Sequence, residues 1–400
     1  MKQINPLFIS PLIFDKNNIN ARINSALINS LPEYYTPAIL CGDISHYENR
    51  FEVLSVNYSL FDKVKIFFLA RATHNRISYW PDFYYFYWYK KALNKAEKYL
   101  RTNQIDYIHS FSIPYTSHLV AYELKKKYNL PWIAQFYEPW GDNYYRMKSQ
   151  KVIDFNNRWE RNVAANADVI FHNSEIMCES WRERYGDNEK ICEKIKYMPM
   201  TFEFKGYSDD GSSRDTRRKL HITHIGNFYG LRRALPFFLA LNELIKEYPQ
   251  IKERLNVTMV GDVLQEDVNY ARSHNLLDII DIVGRKSEEE CVLYYRKSDL
   301  YLVIESEQQG PLFFPSKLIQ YYYYNRPILG ITTDQSVLFR ELKTTGHKAF
   351  VPSDINGIKD YLKTALNNYE SLLNYNKDAW KRFDSKTIIA DYLINVNKIL

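Results

Sequence analysis

Four hundred residues are too many for one ordinary hydrophobic core and suit two domains of about 150 to 200 residues each. With 46% hydrophobic and 25% charged residues the composition is that of an ordinary globular protein, which excludes disorder over most of the chain. A net charge of +6 is too slight to point to nucleic acid, no helix-turn-helix, zinc-finger or RNA-binding signature is present, and no nucleic-acid partner is expected. Cys41, Cys178, Cys192 and Cys291 lie far apart and form no Cys-x-x-Cys pair, which argues against a zinc site or a disulfide framework and suits a reducing cytoplasm. The opening MKQINPLFISPLIFDKNN holds too short an apolar run for a signal peptide. No run approaches the roughly eighteen residues of a membrane span, so a cytoplasmic protein is expected.

Taken in order, Leu7 to Pro11 reads as a strand and Asn18 to Ser30 as a helix with Ile19, Ile23, Ala26 and Leu27 on one face. Between Tyr58 and Arg101 aromatic and basic residues interleave, with Phe67, Phe68, Trp80, Phe83, Phe86, Tyr87 and Trp88 among Lys63, Lys65, Arg71, Arg76, Lys90, Lys91, Lys95 and Lys98. Its second half, Asp82 to Arg101, reads as one helix of about five turns, started by Pro81 or Asp82. A core-facing helix with a solvated basic face is the plainer account of this region. The sharper one rests residues 58–101 on an anionic bilayer, where aromatic and Lys/Arg side chains both gain.

A cleaner α/β alternation follows: a strand at Asp106–Ser110, a helix at Tyr115–Tyr128, a strand at Pro131–Phe136, a helix at Lys148–Ala165, a strand at Asp168–Ser174 and a helix at Glu175–Tyr185. The strand ending at Phe136 delivers Tyr137-Glu138-Pro139-Trp140-Gly141-Asp142 at its carboxyl end, where open parallel sheets hold their ligands. Glu138 and Asp142 are the carboxylates best placed there to orient or deprotonate a hydroxyl, with helix capping as the plainer alternative. Lys196-Tyr-Met-Pro closes the first domain, and the polar, Gly/Ser-rich stretch Lys205 to Leu220 is the best linker in the chain.

The second domain opens with the strand His221–Gly226, then Asn227-Phe-Tyr229-Gly230-Leu-Arg232-Arg233 and a helix. Two glycines let backbone approach a diphosphate, and an arginine at the following helix start grips it in a bidentate manner. Strands follow at Asn256–Gly261 and Asp278–Gly284, the second reaching Arg285, and a helix at Ser287–Lys297 has an acidic first turn. Asp299 to Ile331 then reads strand, loop, helix, strand, with a Gly310-Pro311 break and a helix restarting at Pro315-Ser316-Lys317. A helix start at the mouth of a parallel sheet is an anion site. Ser316 adds a hydroxyl and Lys317 a full charge, so a diphosphate is the natural occupant unless Lys317 is only a solvated first-turn lysine. Ala349-Phe-Val-Pro and the helix Asp354–Asn367 complete the sheet, and Ser371 to Leu400 looks helical.

Phe313-Phe314-Pro315-Ser316-Lys317-Leu318, an aromatic-rich helix, Asn325-Arg326-Pro327 and a strand together resemble the donor-site segment of family 4-type glycosyltransferases of the GT-B fold. Gly-Asn-Phe-Tyr-Gly-x-Arg at Gly226–Arg232 and the Asp-Pro-Trp-like Glu138-Pro139-Trp140 extend the likeness. The usual helix glutamate, implied to bind ribose hydroxyls, is here Gln320, and the glutamate often found eight residues earlier is Leu312. The resemblance implies that Arg232, or its neighbour Arg233, and Lys317 neutralise the leaving phosphates. It implies further that Gly226, Asn227, Tyr229, Gly230 and Ser316 line the donor site, and that the base lies against Gly284 and Arg285. On the acceptor side it implies Arg22, where relatives carry a Gly-rich turn and an arginine, together with Trp140; His109, at the end of the strand Asp106–Ser110, is a further cleft candidate by position, with a structural histidine as the plainer alternative.

The expected architecture is an α/β protein of GT-B type, with two Rossmann-like domains whose parallel sheets face across a cleft. Its parts are an acceptor-side domain at 1–205, a linker at 206–219, a donor-binding domain at 220–375 and a helix at 376–400 crossing back to the first domain. The implied function is retaining, metal-independent transfer of a sugar from a nucleotide-diphosphate sugar to a glycan or polyprenyl-linked acceptor in cell-surface polysaccharide biosynthesis. No cofactor is expected, and no Asp-x-Asp exists in the sequence to chelate a metal against the diphosphate. The inner face of the plasma membrane is its place if residues 58–101 meet lipid. A nucleotide-sugar epimerase on the same fold and a non-catalytic nucleotide-sugar-binding module are the rival readings.

Overall fold

Short apolar runs build two parallel sheets in the computed structural model, which describes residues 2–14, 18–42, 50–72, 82–141, 143, 149–204, 219–306 and 312–400. The first sheet holds β1 (Pro6–Ile9), β2 (Ala38–Cys41), β3 (Glu52–Ser55), β4 (Tyr107–Phe111), β5 (Trp132–Phe136), β6 (Val169–His172) and β7 (Ile195–Tyr197). Their spatial order is β3-β2-β1-β4-β5-β6-β7, and every described pairing is parallel. The second holds β8 (Leu220–Ile225), β9 (Leu255–Val260), β10 (Ile280–Gly284), β11 (Leu300–Ile304), β12 (Ile328–Ile331) and β13 (Lys348–Phe350), in the order β10-β9-β8-β11-β12-β13. Helices cover these sheets, so central strands such as β1, β4, β5 and β11 are buried at every residue; β1 and β11 read as unbroken apolar runs, while β4 and β5 are interrupted by buried His109, Ser110 and Gln135.

In both sheets the chain starts in the middle, runs to one edge, returns and runs to the other. The reversal falls between β1 and β4 in the first sheet and between β8 and β11 in the second. Neighbouring loops diverge at such a point and leave a crevice outside the carboxyl ends of the strands. The chain divides into two compact units, Met1–Phe204 with Arg382–Leu400, and Lys205–Lys381. Return of the chain to the first unit is fixed by backbone bonds from Phe202 to Phe383 and from Ser385 to Phe202, each 2.8 Å. The Tyr392 hydroxyl completes it, lying 2.9 Å from both Tyr107 Oη and His109 Nδ1.

Two helices differ from the sequence expectation. Asp82 to Arg101 forms Phe83–Tyr87 and Tyr89–Leu100, with a break at Trp88, whose indole is fully buried. Asp82 starts the first of these, its carboxylate accepting from the Tyr85 N–H at 3.1 Å and from the Thr116 hydroxyl of the next helix. The last segment is helical only over Ser385–Asn397, after short 3-10 turns at Tyr369–Leu372 and Ala379–Phe383. Between those turns the chain bonds outward, Asn376 N–H to Thr345 O at 2.8 Å and Tyr375 Oη to Asn325 O at 3.0 Å, which forbids a continuous helix. Residues 205–218 of the linker, Gly310 and Pro311 lie outside the described residues.

Candidate functional site

The carboxyl ends of β8 and β11, at the reversal point of the second sheet, bring the candidate donor residues together. β8 runs into Gly226, whose φ of +141° suits glycine alone; a Cβ there would stand 2.9 Å from Lys317 Nζ. The next loop is pinned by the Asn227 side chain, whose Oδ1 accepts from the Asp262 N–H at 2.9 Å. Gly230, at φ +61°, then turns the chain so that Arg232 comes back over the strand end. Its guanidinium lies 4.7 Å above the Tyr229 ring, donates to the Asn227 carbonyl at 3.4 Å and pairs with Glu305, the first residue beyond β11.

Lys317 reaches the same carboxylate from the other side, its Nζ 4.0 Å from Glu305 Oε1. The helix that carries it, Lys317–Tyr323, is fixed by its tyrosines. Tyr321 is buried, stacks on Tyr301 at 4.3 Å, accepts from the Ile225 N–H at 2.9 Å and donates to the Leu302 carbonyl at 3.2 Å. The aromatic run thus clamps helix, β8 and β11 at one point. At seven residues the helix is too short to act as an anion site through its dipole, so the work falls to the side chains. Ser316 sits at its N-cap without capping it, and Gln320, half-buried, lies one turn beyond Lys317 on the same face.

Electrostatically the site is short of negative charge. Burial, with the Arg232 guanidinium nearby, pushes the Lys317 ammonium down to about 8. His224, fully buried in β8, gives its Nδ1 proton to the Leu302 carbonyl at 3.0 Å and stacks on Phe228 at 4.4 Å. Burial and the two cations hold it far below the usual imidazole range, so it stays neutral. Two cations facing one carboxylate leave one positive charge in excess, which an anion can meet.

The other donor-side residues divide. Arg233 turns away to Asp267, its Nε at 2.8 Å and Nη2 at 2.6 Å, and that carboxylate also takes the Ala234 N–H. Its guanidinium is spent on holding the loop, which leaves Arg232 as the arginine at the strand end. Gly284, at φ +70°, accepts from the Gly261 N–H at 2.8 Å, and the exposed Arg285 pairs with Asp262 at 2.5 Å. Glu305 and His224 were not singled out from the sequence. The available signal was a polar residue closing or interrupting an apolar strand, as in Val-Ile-Glu and Ile-Thr-His-Ile.

In the first unit, Glu138 lies beyond β5 and its Oε2 accepts from Asn143 Nδ2 at 3.2 Å. Asp142 lies outside the described residues. Trp140 is buried, stacked on Tyr115 at 4.7 Å and donating to Asn156 at 3.1 Å, so it anchors this loop from beneath. Glu160, on the helix Gln150–Asn166, holds the same loop by accepting from the Gly141 N–H at 2.5 Å, Arg184 at 2.6 Å and Tyr185 at 3.0 Å. His109 stands inside the sheet rather than at its open edge, between Tyr392 and the side-chain Oε1 of Gln135 at 3.0 Å, and burial lowers it to about 3. Arg22 is half-buried on the helix Ile19–Asn29 that follows β1.

Residues 50–193 match the Glycosyltransferase Family 4 domain family. No curated protein matches the chain. Among solved structures, HepE of Anabaena in complex with UDP and glucose is 13% identical with a TM-score of 0.67, the match covering 99% of this chain and 100% of that one. The E. coli trehalose-6-phosphate structure bound with UDP-2-fluoro glucose is 12% identical with a TM-score of 0.68, over 99% of each chain. The lipopolysaccharide outer core galactosyltransferase WaaB, in its apo form, is 14% identical with a TM-score of 0.61 over the whole of both chains. These similarities establish the GT-B fold, with two Rossmann-like units.

Proposed function

We propose that this GT-B glycosyltransferase, with its family 4 domain at residues 50–193, transfers a sugar from a nucleoside-diphosphate sugar to a glycan or lipid-linked acceptor in surface-polysaccharide assembly. The observation that carries the reading is the convergence of Arg232 and Lys317 at the carboxyl ends of β8 and β11. As the bond to the sugar breaks, negative charge grows on the departing diphosphate, and two preorganised cations in a shielded site stabilise it without reorganising. In this reading those side chains take the place of a metal, transfer proceeds with retention, and Gln320 accepts from a ribose hydroxyl. Glu138 and Asp142 orient the acceptor hydroxyl. UDP in the HepE complex makes UDP the first nucleotide to try.

The test is a thermal-shift and calorimetric screen against UDP, GDP, dTDP, CMP and their common sugars, with Arg232→Ala and Lys317→Ala beside the parent. A ligand that binds only the folded state raises the melting temperature with RT ln(1 + [L]/Kd). One diphosphate should shift the parent, and each substitution should weaken it by at least about tenfold, the loss of one charge-assisted contact. A folded parent that binds none of them overturns the reading in favour of a non-catalytic module. Conversion of a nucleotide-sugar with no acceptor present favours the epimerase.

A second observation bears on where the enzyme works. Helix Leu60–Ala72 carries exposed apolar residues, with Leu60 80%, Phe61 66% and Phe68 64% exposed. Lys65 lies over Phe61 and Arg71 over Phe67, so aromatic and cationic groups share the surface. Such a face suits an anionic bilayer, although among the described residues no helix is long and apolar enough to cross one. Flotation with phosphatidylserine-containing vesicles should be lost on reversing Lys63, Lys65 and Arg71 to Glu. Equal flotation of parent and variant removes the membrane from the proposal.

A further inference from the structure

We infer that Glu305 is a resident counter-anion that a bound diphosphate displaces from Arg232 and Lys317, and so a positioning residue that sets how tightly the nucleotide is held. The inference rests on the donor-site reading above. It starts from a mismatch within the cluster. The Glu305, Arg232 and Lys317 side chains are only 10%, 12% and 14% exposed, so three charges sit together in a shielded place with one positive charge in excess. Glu305 pairs with Arg232, but its distance to Lys317 Nζ, 4.0 Å, is too long for a hydrogen bond. Among the described residues neither that Nζ nor Glu305 Oε1 has a hydrogen-bond partner. Leaving a buried ammonium half-met is costly, and a pair kept for structure alone would be closed, as Arg233 and Asp267 are.

The position of Lys317 is also built. Gly226 leaves bare backbone against which Nζ lies, and any Cβ there would stand 2.9 Å from it, so the ammonium is held beside the end of β8. A diphosphate arriving there brings the charge that Lys317 lacks and competes with Glu305 for Arg232. Displaced from Arg232 but still carried at the end of β11, Glu305 keeps its negative charge near the phosphates and opposes them. The carboxylate holds the cations in place while the site is empty and loosens the nucleotide once it is bound.

The experiment compares the parent with Glu305→Gln and Glu305→Asp, measuring Kd for UDP and for inorganic pyrophosphate by calorimetry, and UDP release by stopped flow, between pH 6.5 and 9. Glu305→Gln should bind UDP about threefold to tenfold more tightly, with slower release, and Glu305→Asp should fall between. The pH at which affinity declines, as Lys317 loses its proton, should move downward in Glu305→Gln because the neighbouring anion is gone. A folded Glu305→Gln that binds UDP no better or more weakly, with an unmoved pH profile, overturns the inference and makes Glu305 a simple support for Arg232. A folded parent that binds neither ligand sinks the donor reading and this inference with it, whereas binding by the parent alone sinks only the inference.

Discussion

Glu160 and Glu305 are both buried carboxylates that meet an arginine near the carboxyl end of a sheet, yet they are finished differently. Glu160, 1% exposed, has Arg184, a backbone N–H and a tyrosine hydroxyl on its two oxygens. Glu305 has Arg232 on one oxygen and a lysine beyond hydrogen-bond reach of the other. The first arrangement is closed and holds a loop in shape. The second is open, and in the proposed reading its remaining positive charge meets the nucleotide. Completeness of the bonding around the charge, rather than burial, is what differs between them.

Removing the two carboxylates gives the sharpest break in that comparison. Glu160→Ala leaves the Arg184 charge, the Gly141 N–H and the Tyr185 hydroxyl facing the interior, and should cost the first unit about 3–5 kcal/mol in chemical denaturation. Glu305→Ala strands the Arg232 and Lys317 charges and should also cost the second unit about 3 kcal/mol, but saturating UDP should restore part of that loss, whereas no ligand restores Glu160→Ala. A Glu305→Ala loss that UDP leaves untouched would erase the distinction.

A smaller effect comes from pH. The folded Lys317 titrates near 8 against 10.5 unfolded, so between those values the unfolded chain holds more protons and stability rises with pH. The gain is at most about 1.4 kcal/mol per pH unit, reduced by the partial exposure of the side chain. Over pH 8 to 9.5 the ligand-free second unit should become more stable to urea while its affinity for UDP falls. Affinity that stays level over that range means that Lys317 does not meet the nucleotide, and stability that falls means that its ammonium is not held near 8.

The smallest effect is expected at Gln320. Gln320→Glu supplies an ionised acceptor one turn from Lys317 and should tighten uridine binding by about fivefold, roughly 1 kcal/mol. UDP should gain less, because the new charge also faces its phosphates. No gain with uridine would place the ribose elsewhere.

Much of this was legible in the sequence because it is local. Buried parallel strands appear as apolar runs, and Gly226, Arg232 and Lys317 stand at strand ends where the chain must turn. What was not legible depends on distant partners. Arg232 and Arg233 are adjacent and chemically alike; Asp267 claims one and Glu305, 73 residues from Arg232, the other. His109 looked like a residue of an open edge, but Tyr392, 283 residues away, closes over it. The length of the helix at Lys317 is set by where its tyrosines find partners, and no propensity shows that in advance.

The return of Arg382–Leu400 to the first unit makes the second unit an insertion within the first. During synthesis, residues 1–204 therefore leave the ribosome without the side chain that caps Tyr107 and His109, while Lys205–Lys381 emerges with its sheet entire. The order of maturation should run against the order of translation, with the second unit gaining protease resistance first and the first only after Tyr392 has appeared.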